Sequence, residues 1–217
     1  MWKLERYKLF QAYDNCYQCT HDIATIDIDL EYNDRLILEL WCGSGSYAIE
    51  LAKLYPKKVV VWVDMKSDRL FFGAKKSKDQ SVDNIKFVRA QVDHLDRFIK
   101  SNSVEEIRIT FPDPRLRRDR QKLTSSKYLD IYKKVLLDWG IINIKTDSKE
   151  FYDFSIVSLE GNGLKISKSI WDIYDKSNDS GLTNILKVKT YYESKWLKEW
   201  RQIWYIKAAY QPINVAQ

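Results

Sequence analysis

The stretch Arg35-Leu36-Ile37-Leu38-Glu39-Leu40-Trp41-Cys42-Gly43-Ser44-Gly45 decides the fold. Its first six residues read as a short strand. The strand runs into a turn carrying two glycines, where backbone can approach a ligand that a side chain would obstruct. A helix is expected from about Tyr47 to Leu54, stopped by Pro56. Val59 to Val63 is a continuous apolar run of the kind a parallel sheet buries on both faces. A helix around Asp68–Lys78, a strand at Ile85–Val88, a helix at Asp93–Ile99 and a strand at Glu106–Thr110 follow. Further on, Tyr128, Ile131, Tyr132, Val135 and Leu136 recur at helical spacing before a strand at Ile141–Lys145. Strand and helix alternate from 35 to 158, which predicts an α/β fold with a mostly parallel central sheet covered by helices on both faces. The remainder holds expected strands near Leu164–Ser167 and Ile203–Ala208, separated by a polar loop at 175–184. Residues 1–33 have no period and read as an N-terminal arm or irregular segment, leaving 34–217 as a single domain.

The composition fits one compact domain of 217 residues. A hydrophobic fraction of 45% beside 30% charged residues is that of a folded chain, not a disordered one. No apolar run approaches the roughly 18 residues of a bilayer span, and Met1-Trp2-Lys3-Leu4-Glu5-Arg6 is no signal peptide. Three cysteines exclude a disulfide scaffold and point to a reducing, cytoplasmic setting. The formal charge of +6 permits a polyanionic partner without requiring one. The basic residues are concentrated: Arg115, Arg117, Arg118, Arg120 and Lys122 are opposed locally only by Asp119. Seven glycines beside eight tryptophans is an unusual balance.

In open α/β sheets, ligands bind at the carboxyl ends of the strands. Four such ends carry conspicuous residues here. Glu39 lies inside the first strand, followed by Gly43 and Gly45. Asp64 ends the second strand, at the distance from the turn where an acid suits ribose hydroxyls. Gln91 and Asp93 follow the third, where a polar group could meet an adenine edge or Asp93 could cap a helix. Asp113 stands between Pro112 and Pro114, which fix φ and remove donors, so it sits in a stiff non-helical frame. A nicotinamide enzyme is the lesser reading. Ala48 could replace the third glycine of that fingerprint, but Glu39 and the lack of a second nucleotide-binding half count against it.

Leu38-Glu39-Leu40-Trp41-Cys42-Gly43-Ser44-Gly45 and Val63-Asp64-Met65-Lys66-Ser67-Asp68-Arg69-Leu70 resemble the cofactor motifs of S-adenosylmethionine-dependent methyltransferases. Thr110-Phe111-Pro112-Asp113-Pro114, Lys145-Thr146-Asp147 and Thr190-Tyr191-Tyr192-Glu193 narrow the resemblance to the tRNA (guanine-N7-)-methyltransferase family, over about residues 33 to 209. The resemblance implies a Rossmann-like class I methyltransferase domain with an antiparallel strand near the C-terminus. Its cofactor would be S-adenosyl-L-methionine and its substrate a tRNA guanine, in the variable loop by family analogy. It implies that Glu39, Gly43, Gly45, Asp64, Gln91 and Asp113 contact the cofactor, with Asp113 also at the reaction centre. Arg117, Asp147, Thr190, Tyr191, Tyr192 and Glu193 would serve the tRNA. The chain departs from the family pattern at Gln91, where an acid is commoner, at Arg117, where lysine is usual, and at Arg115 and Asp138. Two other readings remain: a catalytically impaired RNA-binding relative, and a methyltransferase acting on another substrate. Monomer and homodimer are both open.

Cys16-x-x-Cys19 with His21 hints at zinc but lacks a suitable second ligand pair, so no metal and no membrane partner are expected. Set against the family pattern, Trp41, Trp62, Trp139 and Trp200, and Trp2 with them, occupy positions of glycine. Trp41 would crowd the cofactor turn, and Trp139 is expected at a helix end where a residue without Cβ is favoured. A common cause is the codon UGA, read as glycine in some bacterial codes and as tryptophan in another. Moving five residues from the eight tryptophans to the seven glycines leaves three and twelve, close to ordinary usage.

Overall fold

A computed structural model describes residues 3–19, 35–41, 46–175 and 184–210. Its centre is an eight-stranded sheet made of β1 (Cys16–Gln18), β2 (Leu36–Leu40), β3 (Val59–Asp64), β4 (Ile85–Arg89), β5 (Val104–Thr110), β6 (Leu136–Thr146), β7 (Leu164–Ile170) and β8 (Trp204–Tyr210), in the spatial order β1-β4-β3-β2-β5-β6-β8-β7. Pairing is parallel from β1 across to β6, and β8 runs antiparallel between β6 and β7. Around it lie α1 (Lys3–Gln11), α2 (Ser46–Leu54), α3 (Ser67–Asp79), α4 (Leu95–Phe98), α5 (Ser126–Val135), α6 (Lys149–Gly161), α7 (Asn184–Lys187) and α8 (Tyr191–Lys198).

The central strands β2 and β3 form where the sequence can be buried on both faces. All five residues of β2 and all six of β3 are buried, and β3 begins with three consecutive valines, whose branched side chains suit the pleat. Alternation sends Leu36, Leu38 and Leu40 to one face, where they join Leu95, Phe98, Tyr128, Leu129 and Tyr132 from α4 and α5. Ile37 goes to the other face with Ala48, Leu51, Leu70, Phe71 and Ala74 from α2 and α3. Charged residues in β5 are accommodated by a buried network. Arg108 pairs with Glu106 and donates to the Tyr47 hydroxyl at 3.1 Å, while Asn143 donates to Glu106 and accepts from Tyr205.

Residues 3–19 are more ordered in form than the irregular arm expected from the sequence. Phe10 on α1 is fully buried beside Ile37 and Trp62, and β1 extends the sheet by pairing with β4. A three-residue edge strand is too short to show alternation, so its pairing is invisible in the sequence. The expected helix over 93–99 is broken into a 3-10 turn at Val92–His94 followed by the single turn of α4. The expected strand at 141–145 begins earlier, at Leu136, directly after α5. Trp139 therefore lies in an irregular strand entry and not at the helix cap. Most of the polar loop at 175–184, together with Trp2, His21, Gly43 and Gly45, lies outside the described residues.

Candidate active site

The strand order reverses between β2 and β5, and a crevice opens at their carboxyl ends, as the rule for open sheets requires. Its volume is about 910 Å³, and it is lined by residues that follow four strands: Trp41 after β2, Asp64 and Met65 at the end of β3, Phe111, Pro112 and Asp113 after β5, and Asp147 after β6. Thr190, Trp196 and Arg201 close the far wall. A volume of this size suits a cofactor with room for a substrate group beside it.

Asp64 is buried at the end of β3. Its Oδ1 accepts the Lys66 backbone N–H at 2.8 Å and its Oδ2 lies 3.6 Å from Arg69. Burial nevertheless outweighs these partners and raises its pKa above the ordinary aspartate value. Glu39 is also fully buried, projecting with Ile37 toward the α2 face, where its charge helps raise the pKa of Tyr47 after burial itself. The residues present fit S-adenosylmethionine in volume and in acceptor chemistry: a crevice at the switch point with a carboxylate, Asp64, at the β3 end to accept from hydroxyl groups. Gln91 is exposed and stands just before the 3-10 turn, outside the crevice lining. Asp93 does not cap that turn; its carboxylate is engaged by Lys127 and by the Tyr128 hydroxyl at 3.2 Å.

Asp64→Asn is expected to weaken cofactor binding about tenfold at neutral pH, the loss of one hydrogen bond to a charged acceptor. Cofactor affinity of the unchanged protein should fall on acidification before the ordinary aspartate range of about 3.9 is reached, because a raised pKa protonates Asp64 earlier. Calorimetric titration across pH checks both, and equal affinity in the Asn variant would remove Asp64 from the cofactor site.

Asp113 is exposed at the crevice while Pro112 beside it is buried. Its Oδ1 accepts the Arg115 backbone N–H at 3.0 Å, and its Oδ2 lies 3.2 Å from the Arg115 guanidinium. Phe111, Arg115 and Arg117 have φ of 50°, 48° and 67°, so backbone strain is concentrated in this loop. Phe111 is held by an edge contact with Trp196 on α8, 4.8 Å between ring centroids.

Asp147 lies in the turn between β6 and α6 and pairs with Arg201 at 3.1 Å. Thr190 and Glu193 form a capping box at the start of α8. The Thr190 side chain accepts the Glu193 N–H, and the Glu193 carboxylate accepts the Thr190 N–H, both at 3.1 Å. Glu193 is fully buried and also receives Lys145 Nζ at 2.6 Å and the Tyr174 hydroxyl at 2.7 Å. The structure thus places Thr190 on the crevice wall and Glu193 behind it, in the interior. Tyr191 and Tyr192 form the first turn of α8. Lys145, itself buried, donates to the Leu186 and Val188 carbonyls, and burial lowers its pKa. The Thr-x-x-Glu spacing of a capping box was present in the sequence and marks the start of α8. Nothing local in the sequence marked Arg201 or Trp196 as crevice residues.

The basic cluster divides in the fold. Lys122 is buried between Asp119 at 2.7 Å and Glu150 at 3.4 Å, so it is structural. Arg115 is committed to Asp113 and lies over the Trp41 ring at 5.5 Å. Arg117, Arg118 and Arg120 remain exposed on the loop that follows the crevice. Cys16 and Cys19 have thiols pushed by burial to about 12, which keeps them protonated at neutral pH. Among the described residues no group of acids, histidines and cysteines is arranged to hold a metal, and no helix is long and apolar enough to cross a membrane.

Comparison with known proteins shows the family of the chain. A family described as "Putative methyltransferase" matches residues 33–206. A tRNA (guanine-N(7)-)-methyltransferase of Porphyromonas gingivalis is 38% identical over 82% of this chain and 72% of its own length. One from Christiangramia forsetii is 33% identical over 94% of this chain and 96% of its own. Among solved structures, the 16S rRNA methyltransferase KamB superposes with a TM-score of 0.66 at 15% identity, over 88% of this chain and 96% of that one, which establishes the shared fold. With a family match across most of its length and relatives of this similarity, the chain belongs to the S-adenosylmethionine-dependent tRNA (guanine-N7-)-methyltransferases.

Proposed function

We propose that this protein transfers a methyl group from S-adenosylmethionine to N7 of a guanine in tRNA, the variable-loop guanine by analogy with its family. The observation that carries the reading is the grouping of Asp64, Asp113, Asp147 and Thr190 around one crevice at the sheet's switch point. S-adenosylmethionine, when bound, supplies an electrophilic methyl group on a sulfonium. Guanine N7 offers an unprotonated lone pair, so the chain needs no general base and its task is alignment, a large fraction of any such barrier. Asp64 binds at the cofactor end. Asp113, stiffened by its prolines and by Arg115, accepts hydrogen bonds from a guanine edge and lies where positive charge grows on the base. Asp147 and Thr190 line the substrate side. A base in a folded RNA must leave its stack to enter a crevice of this kind.

Transfer of a labelled methyl group to unmodified tRNA, followed by nucleoside mapping, tests the reading. Label in 7-methylguanosine supports it; label in another base, or transfer only to small molecules, replaces it.

The exposed arginines grip backbone phosphates in this reading. Arg117→Ala and Arg118→Ala are each expected to weaken tRNA binding and to reduce its salt slope by about one unit, leaving cofactor affinity unchanged. Binding titrations at several salt concentrations check this, and an unaltered slope would return the loop to ordinary surface.

A further inference from the structure

Three of the seven tryptophans among the described residues have left-handed backbone: Trp41 at φ 64°, Trp139 at 66° and Trp200 at 58°. Only a few per cent of non-glycine residues occupy this region, because Cβ there approaches the following carbonyl oxygen. Five other non-glycine residues have positive φ, of which Asn102 is of a type that tolerates the region. Ser81 and Asn102 are small polar residues, and Phe111, Arg115 and Arg117 belong to the crevice loop. Trp139 and Trp200 gain little packing in return, being 60% and 93% exposed.

Each of the three stands where backbone geometry calls for glycine. The N–H of Trp200 bonds to the Leu197 carbonyl and that of Arg201 to the Trp196 carbonyl, with Glu199 as the C-cap of α8. That is a Schellman motif with tryptophan in its left-handed position, which glycine normally fills. Val104 pairs with Leu136 and Glu106 with Ile141, so residues 137–140 bulge out opposite Glu105, with Trp139 inside the bulge. Trp41 opens the turn after β2 and its ring lines the crevice.

A fourth tryptophan is unsuited to its place in another way. Trp62 is fully buried in β3, and its indole N–H has no hydrogen-bond partner among the described residues. Its ring does have room, because Gly73 on α3 lacks the Cβ that would lie 2.2 Å from it. Trp171, Trp196 and Trp204 are, like Trp62, outside the left-handed set, and Trp62 meets Phe87 edge-on at 5.5 Å as Trp196 meets Phe111 and Trp204 meets Tyr152, so the misfit of Trp62 is its unpartnered N–H alone.

We infer that the natural protein carries glycine at positions 41, 62, 139 and 200, encoded by UGA codons that its own cell reads as glycine. One codon reassignment accounts for the three left-handed tryptophans, for the unpartnered indole N–H of Trp62 and for the excess of tryptophan over glycine in the chain. The functional consequence concerns position 41. With glycine there, the crevice loses an indole wall, backbone can approach the cofactor, and Arg115 loses the ring over which it lies. The chain with tryptophan at 41 is then a weak binder of the cofactor of its own reaction.

Tandem mass spectrometry of the protein isolated from its natural host should find glycine at 41, 62, 139 and 200 and tryptophan at 171, 196 and 204. The gene should carry UGA at the first four and UGG at the last three. Tryptophan in the peptides, or UGG at 41, 139 and 200, overturns the inference. In the chain with tryptophan at these positions, Trp139→Gly and Trp200→Gly should each raise Tm by about 2–4 °C by relieving left-handed strain, whereas Trp204→Gly should lower it. No rise at either position counts against the inference. Trp41→Gly should tighten S-adenosylmethionine binding on the order of tenfold or more, while Trp41→Phe should not. This last measurement alone rests on the methyltransferase reading. If it fails while the peptides contain glycine, the cofactor role of the crevice is what falls.

Discussion

Asp113→Ala is expected to fold normally and to methylate tRNA about 10²- to 10³-fold more slowly, the loss typical when one preorganised electrostatic contact is removed. Folding should survive because the side chain is exposed and its partner, Arg115, also reaches solvent. Two effects are combined in the alanine variant. The carboxylate closes a local turn by accepting the Arg115 N–H, and it presents negative charge to the crevice. Asp113→Asn separates them, because an amide oxygen still accepts that N–H while the charge is gone. If charge near the methylated base matters, the Asn variant should lose most of the activity with the loop intact. Single-turnover kinetics with saturating cofactor measures this, and near-normal turnover by a folded Asp113→Ala protein would remove Asp113 from the reaction centre.

The second large effect is on stability. Glu193→Ala leaves the Lys145 ammonium buried without its carboxylate, a change that costs about 3–5 kcal/mol when one partner of a buried pair is deleted. Against a total of about 5–15 kcal/mol for a typical protein, that threatens the fold. The damage should spread to the site. The same carboxylate caps α8 and binds Tyr174, and α8 carries Trp196, which packs on Phe111 next to Asp113. The pH dependence has a definite sign. Burial lowers the pKa of Lys145 in the folded state, so the unfolded state binds more protons and stability rises with pH. With Glu193 gone that shift deepens. The deficit of Glu193→Ala should therefore shrink as pH rises toward the ordinary lysine value of about 10.4, because Lys145 loses its proton in the folded state before that value is reached. Denaturant unfolding at several pH values checks it. A Glu193→Ala protein as stable as the parent at pH 7 would mean that the pair contributes nothing.

The position of Glu193 separates two meanings of a motif. The run Thr190–Glu193 was expected, by family resemblance, to serve the substrate. In the fold Thr190 lines the crevice, while Glu193 is turned inward and saturated by three partners. In the proposed reaction Glu193 is a positioning residue, acting through the placement of α8.

Much of this protein was written locally in its chain. Apolar runs such as Val59–Val63 and the helical repeat from Tyr128 to Val135 set strand and helix, because burial and period are properties of neighbours in sequence. Their alternation fixed the parallel sheet, and the sheet's strand ends fixed where Asp64 and Asp113 had to lie. Glycine was expected at Trp41, Trp139 and Trp200 from the family pattern, and the structure gives each a left-handed backbone, although the reason at Trp139 proved to be a bulge and not a helix cap. Only the tertiary structure decided which charges are spent on other charges. Arg201 meets Asp147 across 54 residues of chain, and Lys122 meets Glu150 across 28, which removes a lysine from the basic loop. Ion-pair partners carry no period and no spacing rule, so the chain cannot announce them. They are chosen when the sheet brings β6, α6 and the segment after α8 to the same end, and that choice separates the charges left for cofactor and RNA from those that hold the crevice together.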